Sequence, residues 1–441
     1  MSTLLERLGA RTRGADLTRR IGEVRQLAGL AIESRGPDAV LGEMCRIRSR
    51  DGLAEVAAEV VGLRPGTVTL MPYGAIQGLG AGCEVEALGE VASVPVGDEL
   101  LGRVVDGFGR ALDGGPDPVC RATQPLRAEP LNPMQRPRIE RVLETGVRSI
   151  DALLTLGQGQ RVGIFAGSGV GKSTLLGMVA RHVRADVNVI ALIGERGREV
   201  KEFIDKHLGP QGLARSVVVV ATSDQPALSR LRAALAALAM AEHFRGRGRQ
   251  VMLTMDSITR YAMARREVGL AAGEPPTARG YTPSVFAELP QLCERCGTQA
   301  GGGAITALFT VLVEGDDHNE PISDLLRATL DGHIVLTREL AHRGQYPAID
   351  VLQSASRLLP DLAPAPVREL VLLAQRTLAL LERNRSMVEI GAYTAGVNEE
   401  LDRALKLEPA LNAFLRQRDG GVAREEALRQ LAAALQLGKG A

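Results

Sequence analysis

The sequence of 441 residues predicts an α/β fold in three parts: a small β-barrel, a central sheet of mostly parallel strands, and a C-terminal helical domain. Three observations predict this fold. Short apolar segments separated by glycine and proline occupy residues 29–97, strands alternate with helices over residues 98–363, and helical periodicity continues over residues 364–441. Residues 1–28 form a separate N-terminal arm in this division.

The N-terminal arm, residues 1–28, has leucine, isoleucine and valine at helical spacing among many arginines. This pattern predicts a basic amphipathic helix or a pair of helices. Such a helix can dock on a partner protein or on an anionic membrane surface. An ordinary solvated helix has the same pattern, so both interpretations stay open at this point.

The segment over residues 29–97 predicts the barrel. Its apolar and polar residues alternate in short runs, with turn signals at Arg64–Gly66 and Pro72–Gly74. Alternation with turn residues at this spacing is typical of a small antiparallel barrel. Strands are indicated within residues 57–61, 66–70 and 83–87.

The central part begins with a loop and linker, rich in glycine and proline, from Gly107 to Pro133. After it, helical runs such as Leu228 to His243 lie between apolar segments. Because parallel strands are joined by crossover helices, this alternation predicts a mostly parallel sheet covered on both faces. The predicted strands are Val162–Phe165, Val187–Ile193, Val217–Ala221, Val251–Met255, Ile305–Val313 and His333–Leu336.

A phosphate-binding loop follows the first of these strands. Small residues let successive backbone N–H groups surround a polyphosphate, and the N-terminus of the following helix adds a favourable dipole. In this pattern Lys172 reaches the β- and γ-phosphates and the Ser173 hydroxyl binds Mg²⁺. The first position, usually glycine, is Ala166. The predicted nucleotide-binding residues are Gly167, Ser168, Gly169, Val170, Gly171, Lys172, Ser173 and Thr174.

Two later strands end in further candidates. Glu195 and Arg196 follow Val187–Ile193 at the edge where such sheets bind ligands. Glu195 is predicted to orient an attacking water, and Arg196 to stabilise charge on the γ-phosphate. A surface loop with a Glu/Arg pair is the alternative. Asp256 ends another apolar strand and is predicted to contact Mg²⁺, usually through water.

Composition argues against several other classes of protein. Lys and Arg total 53 against 52 Asp and Glu, a formal net charge of +1, which suggests no nucleic-acid partner. Aromatic residues make up only 3%, so few side chains could stack on single-stranded bases. Five cysteines, an odd number in a large chain, and the lack of a long apolar stretch predict a soluble cytoplasmic protein with reduced thiols. The pair Cys293 and Cys296 lacks a second pair or a nearby His and is predicted to have no metal or redox role.

Longer motifs resemble a known family. Residues 194–199 resemble the catalytic-glutamate segment of rotary ATP synthase subunits. Residues 221–227, 256–262 and 273–286 are similar to a narrower branch, the type III protein-export ATPases, and within it to the flagellar members more than to the injectisome members. The resemblance covers about residues 30 to 430. It implies a RecA-like P-loop core that hydrolyses ATP with Mg²⁺.

The resemblance also implies roles for two more residues. Tyr346 lies in a segment whose tyrosine packs on adenine, and Arg357 in a segment that carries an arginine finger. Such a finger reaches into a neighbouring subunit's site, which implies a homohexameric ring. The alternatives are a buried core aromatic for Tyr346 and a structural salt bridge for Arg357.

The partners implied by the resemblance are a stator-like negative regulator at the N-terminal arm and an axle-like protein in a central pore faced by residues 274–282. The resemblance also implies two further partners: export chaperone–substrate complexes and an export gate at the inner membrane surface. The implied location is cytoplasmic, peripheral at the inner face of the cytoplasmic membrane.

Three other functions compete with flagellar export. An injectisome ATPase shares all the motifs. A catalytic subunit of a rotary F/V-type ATP synthase shares the core, but the C-terminal region lacks the acidic run expected of it. A hexameric RNA translocase of the transcription-termination type also places a small barrel before this core, and the near-neutral charge and few aromatics argue against it.

Overall fold

A computed structural model describes residues 19–313, 320–418 and 421–436. The chain divides into two compact units. The first contains the described residues up to Ser93 together with Gln225–Leu231 and Ala264–Ser284, and the second contains the remainder.

The first unit is built on a closed antiparallel barrel. Its strands follow the order β1-β2-β5-β4-β3-β6 and return to β1. Apolar side chains that alternate along the strands, such as Val24, Ile47, Leu70 and Val85, fill its interior. The strands are β1 Arg20–Ala28, β2 Ala31–Arg35, β3 Glu43–Arg48, β4 Glu55–Arg64, β5 Thr67–Pro72 and β6 Glu84–Val91.

Strand β1 corrects one prediction. The helix expected through residue 28 is wrong for residues 20–28, which form a strand. β1 pairs with β2 on one side and with β6 on the other, so its backbone hydrogen bonds close the barrel and leave no open edge. This pairing overrides the helical spacing of apolar residues, of which Val24 is buried while Ile21 and Leu27 stay exposed. Residues 1–18 of the predicted arm lie outside the described residues.

The second unit contains the central sheet. Its strand order is β19-β18-β12-β17-β15-β13-β14-β8, with β16 paired to β17, and two small sheets pair β7 with β9 and β10 with β11. The core strands are parallel, and β19 joins the edge antiparallel to β18. The strands are β7 Ser93–Val96, β8 Arg103–Val105, β9 Ala122–Pro125, β10 Val142–Leu143, β11 Leu156–Gly157, β12 Arg161–Ala166, β13 Val187–Ile193, β14 Ser216–Ala221, β15 Gln250–Asp256, β16 Gly297–Thr298, β17 Ala304–Leu312, β18 Gly332–Leu336 and β19 Ile349–Ser356.

All six predicted central strands are present within a residue or two of the expected bounds. Sequence reasoning missed β8, β9 and β19, which are short or lie at sheet edges and lack a continuous apolar run. Such strands depend on the neighbour they pair with more than on their own residues.

Helices cover the sheet and form the C-terminal domain predicted from the sequence. The last three pack their apolar faces into the same core as the phosphate-loop helix. The helices are α1 Arg148–Leu153, α2 Lys172–His182, α3 Gly197–Glu202, α4 Gly209–Ala214, α5 Ala227–Gly246, α6 Ile258–Ala271, α7 Pro283–Glu294, α8 Pro321–Thr329, α9 Arg338–His342, α10 Leu359–Leu362, α11 Ala365–Glu389, α12 Glu399–Leu415 and α13 Arg424–Gln436. A π-helical turn, Phe203–Leu208, lies between α3 and α4.

Candidate active site

The loop between β12 and α2 has the backbone shape of an anion cradle. Gly169 and Gly171 adopt positive φ angles of 80° and 88°, a region that glycine enters without strain. Helix α2 begins at Lys172 with Gly171 as its N-cap, so its first N–H groups have no side-chain cap. Ala166 ends β12 in regular strand pairing with Leu312 and Leu336, which explains why this position does not require glycine.

Three charged side chains meet above this loop. The Lys172 Nζ lies 2.5 Å from Asp256 Oδ1 and 3.5 Å from Glu195 Oε1. Lys172 begins α2, Glu195 follows β13 and Asp256 ends β15, so the carboxyl ends of three parallel strands supply the cluster. The structure therefore brings together three residues that the sequence separates by 84 positions at most.

Burial controls the electrostatics of this cluster. It raises the pKa of the Glu195 carboxyl to about 7, against the opposing charge of Lys172 and with a further rise from Asp256. Burial alone would lower the pKa of the Lys172 ammonium, but the charges of Asp256 and Glu195 outweigh it and the pKa is raised. Lys172 thus stays protonated, while Glu195 can gain or lose a proton near neutral pH.

The two carboxylate oxygens of Asp256 differ in their hydrogen bonds within the described residues. Its side chain is 5% exposed, and Oδ1 accepts hydrogen bonds from Lys172 and from the Thr310 hydroxyl at 2.7 Å. From the described residues, Oδ2 accepts no hydrogen bond. Thr310 was missed by sequence reasoning, although a polar residue inside the apolar strand β17 was a usable signal.

Gly194 lets the loop that carries Glu195 pack closely against the side chain of Arg260. Its φ is 71°, and a Cβ placed there would lie 2.9 Å from the Cβ of Arg260. The Arg260 Nε is buried without a hydrogen-bond partner in the described part of the chain. The motif of residues 256–262 predicts no role for Arg260, whose side-chain stem packs against Gly194, the residue before Glu195.

Arg196 lies apart from the three-residue cluster in this single chain. Its side chain is 81% exposed, and its guanidinium pairs with Glu199 at 3.2 Å. The predicted contact of Arg196 with the γ-phosphate stays a prediction.

Tyr346 lies against the phosphate loop. A Cβ placed on Gly171 would be 3.2 Å from the Tyr346 Cδ1, so the ring borders the loop directly. Its side chain is 42% exposed, which differs from the buried core aromatic that was the alternative. A half-open aromatic face at the entrance to a phosphate loop suits stacking on a base.

Arg357 lies at the opposite end of the strands, beside the amino end of β18, whereas the phosphate loop lies at the carboxyl ends. Arg357 follows β19, whose first residue pairs with the carboxyl end of β18 and whose last residue pairs with Gly332 at the amino end. A strand of about eight residues spans roughly 25 Å. Arg357 is exposed, and its guanidinium donates to the Arg327 carbonyl at 3.1 Å. It therefore points away from the phosphate loop of its own chain.

Three family models match successive parts of the chain. They are the beta-barrel domain of the ATP synthase alpha/beta family at residues 24–89, the nucleotide-binding domain of the same family at residues 146–356, and the T3SS EscN ATPase C-terminal domain at residues 364–433. A flagellum-specific ATP synthase from Bacillus subtilis is 52% identical over 91% of this chain and 92% of its own length.

The chain belongs to the family of flagellar and type III secretion export ATPases. A type 3 secretion system ATPase from Xanthomonas euvesicatoria is 49% identical over 90% of both chains. The solved structure of the assembled ATPase EscN in complex with its central stalk EscO, from enteropathogenic E. coli, superimposes with a TM-score of 0.86. It is 41% identical and covers 94% of this chain and all of that one.

These matches confirm the predicted family, its fold class and the ATP-hydrolysing activity of this export ATPase. The roles of individual site residues and the domain bounds stay predictions. Within the described residues, no helix is long and apolar enough to cross a membrane.

Cys293 and Cys296 are both fully buried at the end of α7. Burial raises the pKa of the Cys293 thiol well above its usual value and that of Cys296 to about 12. Among the described residues, no group of three or more His, Cys, Asp and Glu could hold a metal ion. Thiols with such high pKa values are poor nucleophiles, and the lack of a metal or redox role stays a prediction for this pair.

Proposed function

We propose that this export ATPase hydrolyses Mg-ATP in a homohexameric ring and uses the cycle to engage and deliver substrates of the flagellar type III export apparatus. One observation carries the proposal. Lys172, Glu195 and Asp256 lie at the carboxyl ends of the parallel strands, and Arg357 lies at the opposite end of the sheet, beside their amino ends. A single chain thus holds an incomplete site at one end and the missing group at the opposite end.

ATP binds with its phosphates in the loop over residues 167–174 and its base on Tyr346. The γ-phosphate takes the place of the carboxylates beside the Lys172 ammonium. The donor set fits Mg²⁺, since the open Oδ2 of Asp256 and the Ser173 hydroxyl are the hard oxygen ligands it prefers. When bound, the ion neutralises charge on the β- and γ-phosphates.

Glu195 performs the proton chemistry. Released from Lys172, its carboxylate accepts a proton from a water whose oxygen attacks the γ-phosphorus. The bond from the γ-phosphorus to the bridging oxygen breaks, and ADP and inorganic phosphate leave. A pKa of about 7 suits a base at neutral pH, because the group is both partly ionised and basic enough to accept the proton.

Arg357 completes the site of a neighbouring copy. Because it lies across the sheet from its own phosphate loop, a charge-stabilising role requires a second protomer. A ring in which every copy offers one edge to the next satisfies this requirement at all interfaces. Such a guanidinium contributes about 10³–10⁵ to the rate in comparable phosphoryl transfers.

A mixing experiment tests the proposal. Glu195→Gln and Arg357→Ala variants should each lose turnover, because each lacks one half of every site. Mixed in equal amounts and allowed to reassemble, they should recover about a quarter of wild-type turnover, since random pairing restores that share of interfaces. Mixtures that stay as inactive as the separate variants would refute a shared site.

Partners and location belong to the same proposal. The relative EscN is known in complex with its central stalk EscO, which supports an axle-like protein in a pore of this chain's ring, faced by residues 274–282. We further assign a stator-like negative regulator to the N-terminal arm. Chaperone–substrate complexes and an export gate bind the ring at the inner face of the cytoplasmic membrane, where the protein is peripheral.

An injectisome ATPase is the second candidate. The similar identities to the Bacillus and Xanthomonas relatives, 52% and 49%, favour it enough to test. Expression of the chain in a flagellar export-ATPase deletion strain should restore motility under the flagellar proposal. Restored injectisome secretion in the corresponding strain, without restored motility, would favour the second candidate.

A further inference from the structure

The end of helix α12 is fastened to the core beside the nucleotide site. The Arg148 guanidinium, at the start of α1, donates to the Ala413 carbonyl at 3.2 Å and also to the Arg416 carbonyl. A cation at a helix C-terminus also meets the negative end of the helix dipole. Arg148 lies over the Phe414 ring as well, with 5.5 Å between the guanidinium carbon and the ring centre.

Gln417 follows this helix end and is 6% exposed. Its Oε1 accepts a hydrogen bond from the Arg148 backbone N–H at 2.9 Å, and its Nε2 donates to the Gly146 carbonyl at 2.9 Å. Both ends of the side-chain amide are thus used on one short stretch of the core. These two hydrogen bonds, one buried and one partly buried, fix the orientation of the Gln417 side chain.

The backbone of Gln417 contacts the base-binding residue. Its N–H donates to the Tyr346 carbonyl at 2.8 Å. The Tyr346 ring borders Gly171 of the phosphate loop. A continuous series of contacts therefore runs from the C-terminal domain through Gln417 to the aromatic face proposed to meet adenine.

We propose that Gln417 is a positioning residue that holds Tyr346 against the base of the nucleotide and so ties base recognition to the C-terminal domain. The inference rests on the proposed stacking of Tyr346 on adenine. Gln417 itself touches Gly146, Arg148 and Tyr346 and lies outside the Lys172, Glu195 and Asp256 cluster. Its effect should appear in the part of the binding energy that comes from the base.

The test compares the affinity for a nucleotide, which carries an adenine base, with the affinity for a polyphosphate, which has none. Competition against a fluorescent ADP analogue, with Mg²⁺ present, gives Kd for ADP and for inorganic tripolyphosphate. Gln417→Ala keeps the backbone bond to the Tyr346 carbonyl but removes the two side-chain bonds that orient this segment. Kd for ADP should therefore rise about tenfold, because the Tyr346 ring is no longer held in place before the base binds. Its Kd for tripolyphosphate should change less than about twofold, since the phosphate loop is untouched.

Gln430→Ala is the matched control. Gln430 lies on α13 of the same domain, and its Oε1 accepts from the Arg148 Nη1 at 2.9 Å, but it has no contact with Tyr346 in the described residues. Both Kd values should stay within about twofold of wild type. Equal weakening of ADP and tripolyphosphate in Gln417→Ala would mean a merely structural role, and no weakening of either would also overturn the proposal.

Tyr346→Ala separates this inference from the proposed function. A selective loss of ADP affinity in Tyr346→Ala without one in Gln417→Ala would refute the role of Gln417 alone. No selective loss in Tyr346→Ala would remove the base contact and the inference with it. Should Gln417→Ala fail to fold, hydrogen exchange in the wild-type protein decides: ADP should slow exchange over residues 411–418 more than tripolyphosphate does, and equal protection would overturn the proposal.

Discussion

Glu195 and Asp256 share one lysine but have different environments. Asp256 accepts hydrogen bonds from Lys172 and Thr310 at one oxygen, and these bonds fix the orientation of its side chain. Glu195 lies farther from Lys172, at 3.5 Å, and burial raises its pKa to about 7. In the mechanism proposed above, these environments divide the roles: Asp256, held in place, serves the metal, and Glu195 accepts the proton.

The pH dependence of kcat/KM should report the ionisation of Glu195 in the free enzyme. Because burial raises this pKa, the basic form is lost as pH falls through about 7. At a pH one unit below that value, kcat/KM should be roughly a tenth of its plateau. Initial rates between pH 5.5 and 9 measure this.

Glu195→Gln provides the control for that profile. It should keep ADP affinity and lose turnover by about 10²–10⁴, with no acid limb near pH 7 in the residual rate. A variant that retains the same limb would show that another group titrates there.

The strands and turns around the site determine where each proposed catalytic side chain lies relative to the ends of the sheet. Strand β19 is antiparallel to its neighbour, so its beginning brings Tyr346 to the phosphate loop and its end brings Arg357 to the far end. Strand β13 turns sharply at Gly194, where the left-handed backbone and the Arg260 stem leave no room for a side chain. The position of Glu195 depends on this turn.

Gly194→Ala should therefore displace Glu195. A Cβ at this position meets the Arg260 Cβ at 2.9 Å and requires a positive φ from a residue that disfavours it. We expect kcat to fall at least about tenfold, with a loss of about 1–3 kcal/mol in the free energy of unfolding.

Gly197→Ala is its counterpart three residues later. Gly197 begins α3, and apart from its chain neighbours and its own helix backbone no atom of the described residues lies within 4 Å of an added Cβ. This variant should keep kcat and leave stability unchanged or raised by about 0.5–1 kcal/mol, as alanine favours helices. ATPase rates and chemical denaturation compare the pair, and equal effects would contradict the role of the Gly194 turn.

At the scale of the whole molecule, the central sheet carries the proposed catalytic residues at two opposite ends of its strands. One carries the cluster of Lys172, Glu195 and Asp256, and the other carries Arg357. Neither end is sufficient for hydrolysis in the mechanism proposed above. In that mechanism the catalytic unit is the junction of two copies, and turnover depends on assembly.

Turnover per chain should rise steeply with protein concentration in the absence of partners. Dilution separates the copies and removes Arg357 from each site, while ADP binding within one chain persists. Arg357→Ala should bind ADP normally and lose turnover by about 10³–10⁵ at all concentrations. Steady-state rates from nanomolar to micromolar protein measure this, and a flat, fully active profile from a monomer would contradict the shared site.

The sequence by itself determined the features that depend on neighbouring residues. The phosphate loop, the six central strands and the C-terminal helices were predictable because glycine placement, apolar runs and helical periodicity act locally. The family was recognisable from motifs such as residues 194–199.

Only the tertiary structure determined the features that depend on contacts between segments far apart in the chain. β1 is a strand because β2 and β6 complete its hydrogen bonds, although its own spacing predicts a helix. Thr310, Arg260 and Gln417 gain their partners from segments far along the chain, and the direction of β19 sets Arg357 apart from its own site. Long-range hydrogen bonds and packing select these arrangements, and no local pattern encodes them.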